Sequence, residues 1–136
     1  MYYEVKSKRV IVDNKGCDKE VAENFIIDGC EFFAEAEQRT MMEYNNENTV
    51  IAIKQSKILE FVNTKEDDEQ AIYLATIVSI FIDEETGDEK ETKYVVGVWA
   101  SSVDDATKKT HTYMNSGLQD MILVAIKRTK FVDVLC

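Results

Sequence analysis

The sequence contains no proline, a single histidine and only three cysteines, and these shortages exclude several kinds of site and scaffold. Because a disulfide framework needs paired cysteines at regular spacing, the odd set Cys17, Cys30 and Cys136 predicts free thiols in a reducing compartment. A zinc site would need His111 and those cysteines to converge, yet Cys17 lies in a predicted hairpin loop and Cys136 is the last residue of the sequence. We therefore predict no metal and no cofactor. The missing proline itself has little diagnostic weight.

Motifs for catalysis and for phosphate binding by loops are also missing. The five glycines are isolated and form no glycine-rich phosphate cradle. No serine or threonine lies in a signature that supplies an oriented base. The acidic loop Asp83–Glu89 lacks the ligand spacing of a calcium loop, so we interpret it as a solvated hairpin tip. The sequence thus predicts a protein that is not an enzyme.

No segment is typical of secretion or of a membrane span. The N-terminal residues lack the basic start and the apolar stretch of a signal peptide. The apolar run Ile77–Ile82 contains Ser79 and falls far short of the length needed to cross a bilayer. These features predict a cytoplasmic protein without membrane contact. The formal net charge of -10, from 26 acidic and 16 basic residues, indicates an acidic surface and argues against a general nucleic-acid coat protein.

What the sequence does contain is an internal repeat. Ile53–Val62 recurs as Ile126–Leu135 with three identities, and Tyr3–Asp13 aligns with Tyr73–Asp83 without a gap. Self-similarity of two segments at similar offsets predicts two copies of one structural unit. The 136 residues are enough for one compact domain but too few for two domains of usual size, so we expect the copies to share one sheet and one core.

The first copy is predicted to fold as strand, strand, helix, strand. Val5–Val12 and a strand through Phe25–Ile27 flank a loop of turn-forming residues and make a hairpin. Val50–Val62 is the closing strand. A helix before the closing strand is indicated by residues at helical spacing, namely Phe33, Ala36, Thr40 and Tyr44.

The second copy has the same predicted order. Ile72–Ile82 and Thr92–Trp99 make the hairpin, and Met121–Leu135 is the closing strand. Ser102 starts the helix in a pattern similar to a capping box, and Asn115-Ser116-Gly117 is predicted to end it. The inward stripe of this helix is predicted to consist of Val103, Ala106, Thr110 and Tyr113.

Together these elements predict an α+β fold in which a tandem duplication builds a shared antiparallel sheet with two helices and pseudo-twofold symmetry. We assign repeat one to residues 1–63, a charged linker to residues 64–70 and repeat two to residues 71–136, all within a single domain. The first strand of repeat two is apolar on both faces. Either it lies centrally and is covered on both sides, or its outer face is a self-association surface that makes the protein a homodimer.

Half of the sixteen basic residues fall on or next to three predicted strands, and they are the candidate binding residues: Lys6, Lys8, Arg9, Lys54, Lys57, Lys127, Arg128 and Lys130. If these strands share an open sheet face, they form a positive groove suited to a phosphate backbone, with stacking from an aromatic residue such as Tyr2 or Tyr73. Residues three apart, such as Lys54 and Lys57, point to opposite faces unless a bulge intervenes, so the patch would then be split. Edge lysines also protect sheets from aggregation, which is the alternative interpretation.

Several of these segments resemble a known family. The resemblance lies in an opening strand, a triplet after the first hairpin, a helix start, a charged loop and the duplicated Ile-Lys strands: Tyr3–Lys6, Ile26–Asp28, Phe33–Glu37, Asp83–Lys90, Ile53-Lys54 and Ile126-Lys127. Over essentially the whole chain the sequence resembles a small uncharacterised domain-of-unknown-function family carried by gut Bacteroidetes and their crAss-like phages. The resemblance implies a phage or mobile-element context, and it brings no known activity and no functional residue.

Two functions are consistent with the sequence. The first is a non-enzymatic binding module that holds single-stranded nucleic acid or a nucleotide-like anion on its basic strands. The second is a protein-interaction factor, such as a phage accessory or anti-defence protein, that engages a host or virion protein through its acidic surface.

Overall fold

The protein has a mixed α+β fold, as predicted. The computed structural model describes residues 2–115 and 120–136, and within these residues it contains two helices and eight strands. In chain order the elements are β1 (Tyr3–Val12), β2 (Asp18–Ile27), α1 (Phe33–Glu43), β3 (Asn48–Gln55), β4 (Ile58–Phe61), β5 (Ala71–Ile82), β6 (Glu89–Ala100), α2 (Val103–Asn115), β7 (Asp120–Arg128) and β8 (Phe131–Leu135). No helix among the described residues is both long and apolar enough to cross a membrane.

The strands form two four-stranded sheets, one in each of two compact units. Unit 1 consists of the chain up to Ser56 together with Lys130–Cys136, and unit 2 consists of Lys57–Thr129. The strand order is β3-β1-β2-β8 in unit 1 and β7-β5-β6-β4 in unit 2. Each sheet therefore has an antiparallel hairpin at its centre, an antiparallel strand on one side and a short parallel strand on the other. The prediction of one shared antiparallel sheet is wrong.

The error arises from the two predicted closing strands, because each of them is broken in the middle. Val50–Val62 is divided between β3 in unit 1 and β4 in unit 2, and Met121–Leu135 is divided between β7 in unit 2 and β8 in unit 1. At the breaks, the Ser56 amide donates to the Tyr2 carbonyl oxygen at 2.8 Å, and the Thr129 amide donates to the Ile72 carbonyl oxygen at 3.0 Å. The units consequently do not follow the predicted repeat boundaries, and the single domain of two repeats stays a prediction.

Each hairpin is closed by an aspartate whose side chain organises the turn. Asp13 accepts from the amides of Lys15 and Cys17 through Oδ1, and Asp83 accepts from the Glu85 amide in the same way. Aspartate favours turns for this reason. Gly16 and Gly87 follow with φ of 78° and 72°, a left-handed conformation that costs glycine little. The polar loops between the apolar runs therefore set the register of both hairpins.

Each helix packs on one face of its sheet through small residues. In α1 the buried residues are Ala36 and Thr40, and the Thr40 hydroxyl donates to the Ala36 carbonyl oxygen at 2.8 Å. In α2 the matching residues are Ala106 and Thr110, joined by the same bond at 2.7 Å. Small side chains allow the helix to approach the sheet closely, and the hydroxyl is satisfied within its own helix.

Each unit is stabilised by its own hydrophobic cluster of buried residues. Burial of such side chains contributes roughly 1.5–3 kcal/mol each. The cluster of unit 1 contains Tyr3, Val5, Phe25, Ile27, Cys30, Ala36 and Leu135. The cluster of unit 2 contains Tyr73, Ala75, Ile77, Val96, Val98, Ala100, Ala106 and Met114.

The residues predicted to face inward on each helix are buried in the middle of the helix, but the first residue of each predicted stripe is exposed. Phe33 and Val103 are 53% and 52% exposed, although the Phe33 ring contacts the edge of the Tyr3 ring with a centroid separation of 5.1 Å. Ser102 caps α2 as predicted, since its hydroxyl accepts from the Asp105 amide at 3.1 Å, while Asp105 reaches back to the amide of Ser101. Ser116 and Gly117 of the predicted helix stop lie outside the described residues.

Candidate functional site

The candidate site lies on the face of the unit 1 sheet that points away from α1. Strand alternation creates this face, because Tyr3, Val5 and Ser7 are buried beneath the helix and the residues between them must point outward. On neighbouring strands, residues paired in register extend the same face. We call it the unit 1 outer face, and it comprises Glu4, Lys6, Lys8, Ala22, Asn24, Ala52 and Lys54.

A shallow groove of about 310 Å³ crosses this face. Polar groups from three strands meet at it: Lys6 on β1, Asn24 on β2 and Lys54 on β3. Phe131 at the start of β8 pairs with Asn24 and supplies an aromatic ring at the groove wall. The remaining lining residues are Glu4, Val5, Ala52 and Ile53. The groove therefore combines two ammonium groups, a carboxylate, an amide and an aromatic ring.

The positive charge of this face is only partly neutralised. Lys54 Nζ lies 3.7 Å from Glu4 Oε2, and its side chain is 76% exposed. The Glu4 side chain is 18% exposed. Lys8 Nζ lies 3.4 Å from Glu20 Oε1, and both of these side chains are exposed. Exposed ion pairs of this kind contribute about 0–1 kcal/mol, so a stronger anionic ligand can displace them. Lys6 has no carboxylate within 4.0 Å among the described residues.

Arg9, although predicted to join the basic patch, lies on the opposite face and belongs to the packing of α1. Its Nε donates to Glu23 Oε1 at 2.6 Å, and its guanidinium sits 4.3 Å from the ring centroid of Tyr44. The hydrogen bond to Glu23 raises the pKa of Arg9 above its ordinary value. Burial, and next the hydrogen bond to Glu23, raises the pKa of the Tyr44 hydroxyl. These bonds occupy the guanidinium, so Arg9 does not contribute to the groove.

The structure divides the other predicted basic residues between the units. Lys130 precedes β8 in unit 1, whereas Lys57, Lys127 and Arg128 belong to unit 2. All four are exposed. The eight residues are therefore not all on one face. Lys6, Lys8 and Lys54 form the one group that shares a sheet face within a unit.

Sequence reasoning missed Phe131, Asn24 and Glu4 as residues of this groove. Asn24 and Glu4 follow from hairpin register, since Lys6 pairs with Asn24 and Glu4 lies two residues away on the same strand. Alternation along the hairpin was a sufficient signal for both. Phe131 has no such signal, because its place depends on the parallel pairing of β8 with β2, more than a hundred residues away in sequence.

The corresponding face of unit 2 is mainly apolar, whereas the unit 1 outer face is charged. Its β5 residues Leu74, Thr76, Val78 and Ile80 align with Glu4, Lys6, Lys8 and Val10 of β1, and all four are half-buried. On the neighbouring edge strand β7, Ile122 and Val124 are 51% and 55% exposed. We call the surface formed by Leu74, Thr76, Val78, Ile80, Ile122, Val124 and Ala125 the unit 2 outer face.

Other clusters of reactive groups do not form a site. Within residues 2–115 and 120–136 no three side chains of His, Cys, Asp or Glu are arranged to hold a metal ion. Cys17 and Cys136 are exposed, Cys30 is buried, and all three are free thiols. The Tyr113 hydroxyl donates to Glu60 Oε1 in a contact between α2 and β4. Burial, then that bond, raises the pKa of Tyr113 well above its ordinary value, which suits a fixed structural donor.

A family model described as a domain of unknown function, DUF4494, matches residues 1–136. The chain belongs to this family. No curated protein and no solved structure matches the chain. The family assignment confirms the resemblance to an uncharacterised domain-of-unknown-function family over the whole chain, and it adds no activity.

Proposed function

We propose that the protein is a non-catalytic binding module that holds a short single strand of nucleic acid, or a nucleotide-like anion, on the unit 1 outer face. The observation that carries this proposal is that Lys6 and Lys54 line a groove with an aromatic wall, while Lys8 lies on the same sheet face. Ammonium groups on a sheet attract phosphates, and an aromatic ring beside them offers a platform for a base.

The geometry suits an extended ligand lying along β1. Lys6 and Lys8 are two residues apart on one strand, so their attachment points are separated by roughly 7 Å along its axis. Lys54 lies on the neighbouring strand and widens the positive region to one side of Lys6. Phe131 lies on the other side, where a base would stack against its ring. The Asn24 amide can donate to a base edge or accept from it.

The net charge of the whole molecule limits the length of nucleic acid that this face can bind. Interactions between exposed charges are largely screened beyond a Debye length, about 8–10 Å in physiological salt, so the net charge of -10 repels chiefly those parts of a polyanion that lie within this distance of the acidic surface. Short contacts at the groove are screened less. The proposal therefore favours a short strand or a single nucleotide over duplex nucleic acid.

A salt-dependent titration of a fluorescein-labelled oligothymidine of about 12 nucleotides tests this proposal. The variant Lys6→Glu/Lys54→Glu is expected to weaken binding at least about ten-fold, and to flatten the plot of log affinity against log salt by roughly 0.7 for each lost phosphate contact. The matched control is Lys15→Glu/Lys108→Glu, which changes the same charge at exposed positions that are not part of this face. Equal losses in both variants, or no binding of the unmodified protein at low salt, would contradict the proposal.

A second candidate is a protein-interaction role, such as a phage accessory or anti-defence factor that engages a basic host or virion protein. The observation that favours it is the excess of 26 acidic over 16 basic residues, which suits a positively charged protein partner. A pull-down from host lysate separates the two candidates. The first should retrieve nucleic acid, and the second one dominant polypeptide.

We also infer that the two units arose by tandem duplication and are related by pseudo-twofold symmetry. The equivalent strand orders, the Thr40 and Thr110 bonds and the matched strand breaks support this inference. The two units also share a register shift between the first hairpin strand and the antiparallel edge strand. It lies at Lys6/Ser7 where β1 pairs with β3, and at Thr76/Ile77 where β5 pairs with β7. A phage or mobile-element origin and a cytoplasmic location belong to the same proposal.

A further inference from the structure

The two outer faces occupy the same place in equivalent sheets, yet one is charged and the other is apolar. Positions held by Glu4, Lys6 and Lys8 in unit 1 are held by Leu74, Thr76 and Val78 in unit 2. Charged side chains are stable on a face that water reaches. A contiguous apolar surface rimmed by polar residues is typical of a face that another protein surface covers.

We propose that the unit 2 outer face is the interface of a homodimer, in which two copies stack this face against each other. The first argument is shape and pattern. Apart from Thr76, β5 and β7 present apolar side chains at their outward positions, and two such faces can interdigitate as the layers of a β-sandwich do. A two-fold axis makes the interface self-complementary, because the same patch serves both copies.

The second argument is the distribution of charge along the face. At one end Lys127 pairs in register with Leu74, while at the other end Asp120 and Glu91 both pair with Ile80. A two-fold axis perpendicular to the strands places the basic end of one copy against the acidic end of the other. Lys93 on β6 pairs with Val78, two residues from Ile80 along β5, and it is the one charge that β6 contributes to this face against the pattern. The ends therefore complement each other when the second copy is antiparallel.

The third argument is the edge strand β7. Its six central residues, Met121–Ile126, carry no charge, although an exposed edge strand normally needs charge to prevent uncontrolled pairing. In the equivalent edge strand β3, Thr49 takes the position of Ile122. A dimer that stacks the unit 2 outer face buries the exposed side chains of Ile122 and Val124 on this strand. This proposal is independent of ligand binding on the unit 1 outer face.

Light scattering and sedimentation velocity of the purified full chain test the proposal. Across about 1–100 µM protein, the mass should rise towards twice the 15.6 kDa of one chain. Ile122→Lys should raise the dimer dissociation constant at least about ten-fold, because it buries an unpaired charge in the interface. The matched control is Ile51→Lys in β3, a 46% exposed residue aligned with Val124, which should leave the constant unchanged. Circular dichroism and the thermal midpoint confirm that both variants fold.

A charge exchange tests the orientation. Asp120→Lys alone should weaken the dimer by about ten-fold through repulsion of the partner's basic end, and adding Lys127→Asp should restore most of that loss. A monomer at every concentration overturns the proposal. The same result is expected if a different protein, and not a second copy of this chain, covers the face. A dimer that Ile122→Lys leaves intact, or a charge exchange without recovery, also overturns it.

Discussion

Replacing Ile77 by alanine is expected to lower the free energy of unfolding by about 2–5 kcal/mol, the largest effect of any substitution considered for this protein. Ile77 is fully buried at the centre of the unit 2 cluster, and it lies between Tyr94 on β6 and Leu123 on β7 in the strand register. Truncation removes three carbon atoms from this packing and leaves a cavity, because the flanking strands are held by their ladders and relax only in part.

Urea titration followed by the fluorescence of Trp99 measures this loss. Trp99 is the single tryptophan, is 4% exposed and lies in unit 2, so its emission reports on the unit that the substitution changes. Ile82→Ala is the matched control on the same strand, because Ile82 is 70% exposed and its truncation should cost less than about 0.5 kcal/mol. Similar losses in the two variants would show that Ile77 is not in a close-packed core.

The local part of the fold was predictable from the sequence, and the reason is visible in individual residues. The turns at Asp13 and Asp83 and the spacing of Ala36 with Thr40 are signals within a few residues of the elements they define. Hairpin and helix positions were therefore correct. The breaks after Gln55 and Arg128 have no comparable signal, because Ser56 and Thr129 are compatible with a continuing strand.

The sheet topology could not be predicted because it depends on contacts between distant segments. The short strand β8 pairs in parallel with β2, and parallel pairing leaves no turn motif in the sequence. The same limit applies to the site. Alternation alone places Lys6 and Lys8 on one face. The strand break places Lys54 in unit 1 and Lys57 in unit 2, and the sequence does not signal that break. Arg9 is kept from the groove by its contacts with Glu23 and Tyr44, which also depend on the folded structure.

A buried polar group in unit 1 gives the second large effect. Asn48 is 5% exposed, and its Nδ2 donates to Ser7 Oγ at 2.9 Å and to the Thr40 carbonyl oxygen at 3.0 Å. These bonds tie β3 to β1 and to α1. Replacing Asn48 by methionine removes both donors and leaves the two oxygens unpaired in a buried environment. The expected loss is about 1–3 kcal/mol in the free energy of unfolding.

Unit 2 indicates which change should compensate for that loss. At the positions that align with Ser7 and Asn48 it has Ile77 and Met121, so the equivalent region is apolar. The double variant Ser7→Ile/Asn48→Met should therefore recover at least about 1 kcal/mol relative to the sum of the single losses, because replacing both partners of a hydrogen bond avoids an unpaired group. Asn48 Oδ1 has no hydrogen-bond partner among the described residues, which further lowers the cost of removing the amide.

Thiol labelling of Cys30 measures this cycle within unit 1. Cys30 is 9% exposed in the unit 1 cluster, and burial raises the pKa of its thiol, so it should react far more slowly than the exposed Cys17 and Cys136. Asn48→Met should accelerate labelling of Cys30, with the logarithm of the rate rising in proportion to the lost free energy of unfolding, and the double variant should slow it again. If the two single losses simply add in the double variant, Ser7 and Asn48 are not energetically coupled. The apolar pattern of unit 2 would then depend on packing that unit 1 cannot reproduce.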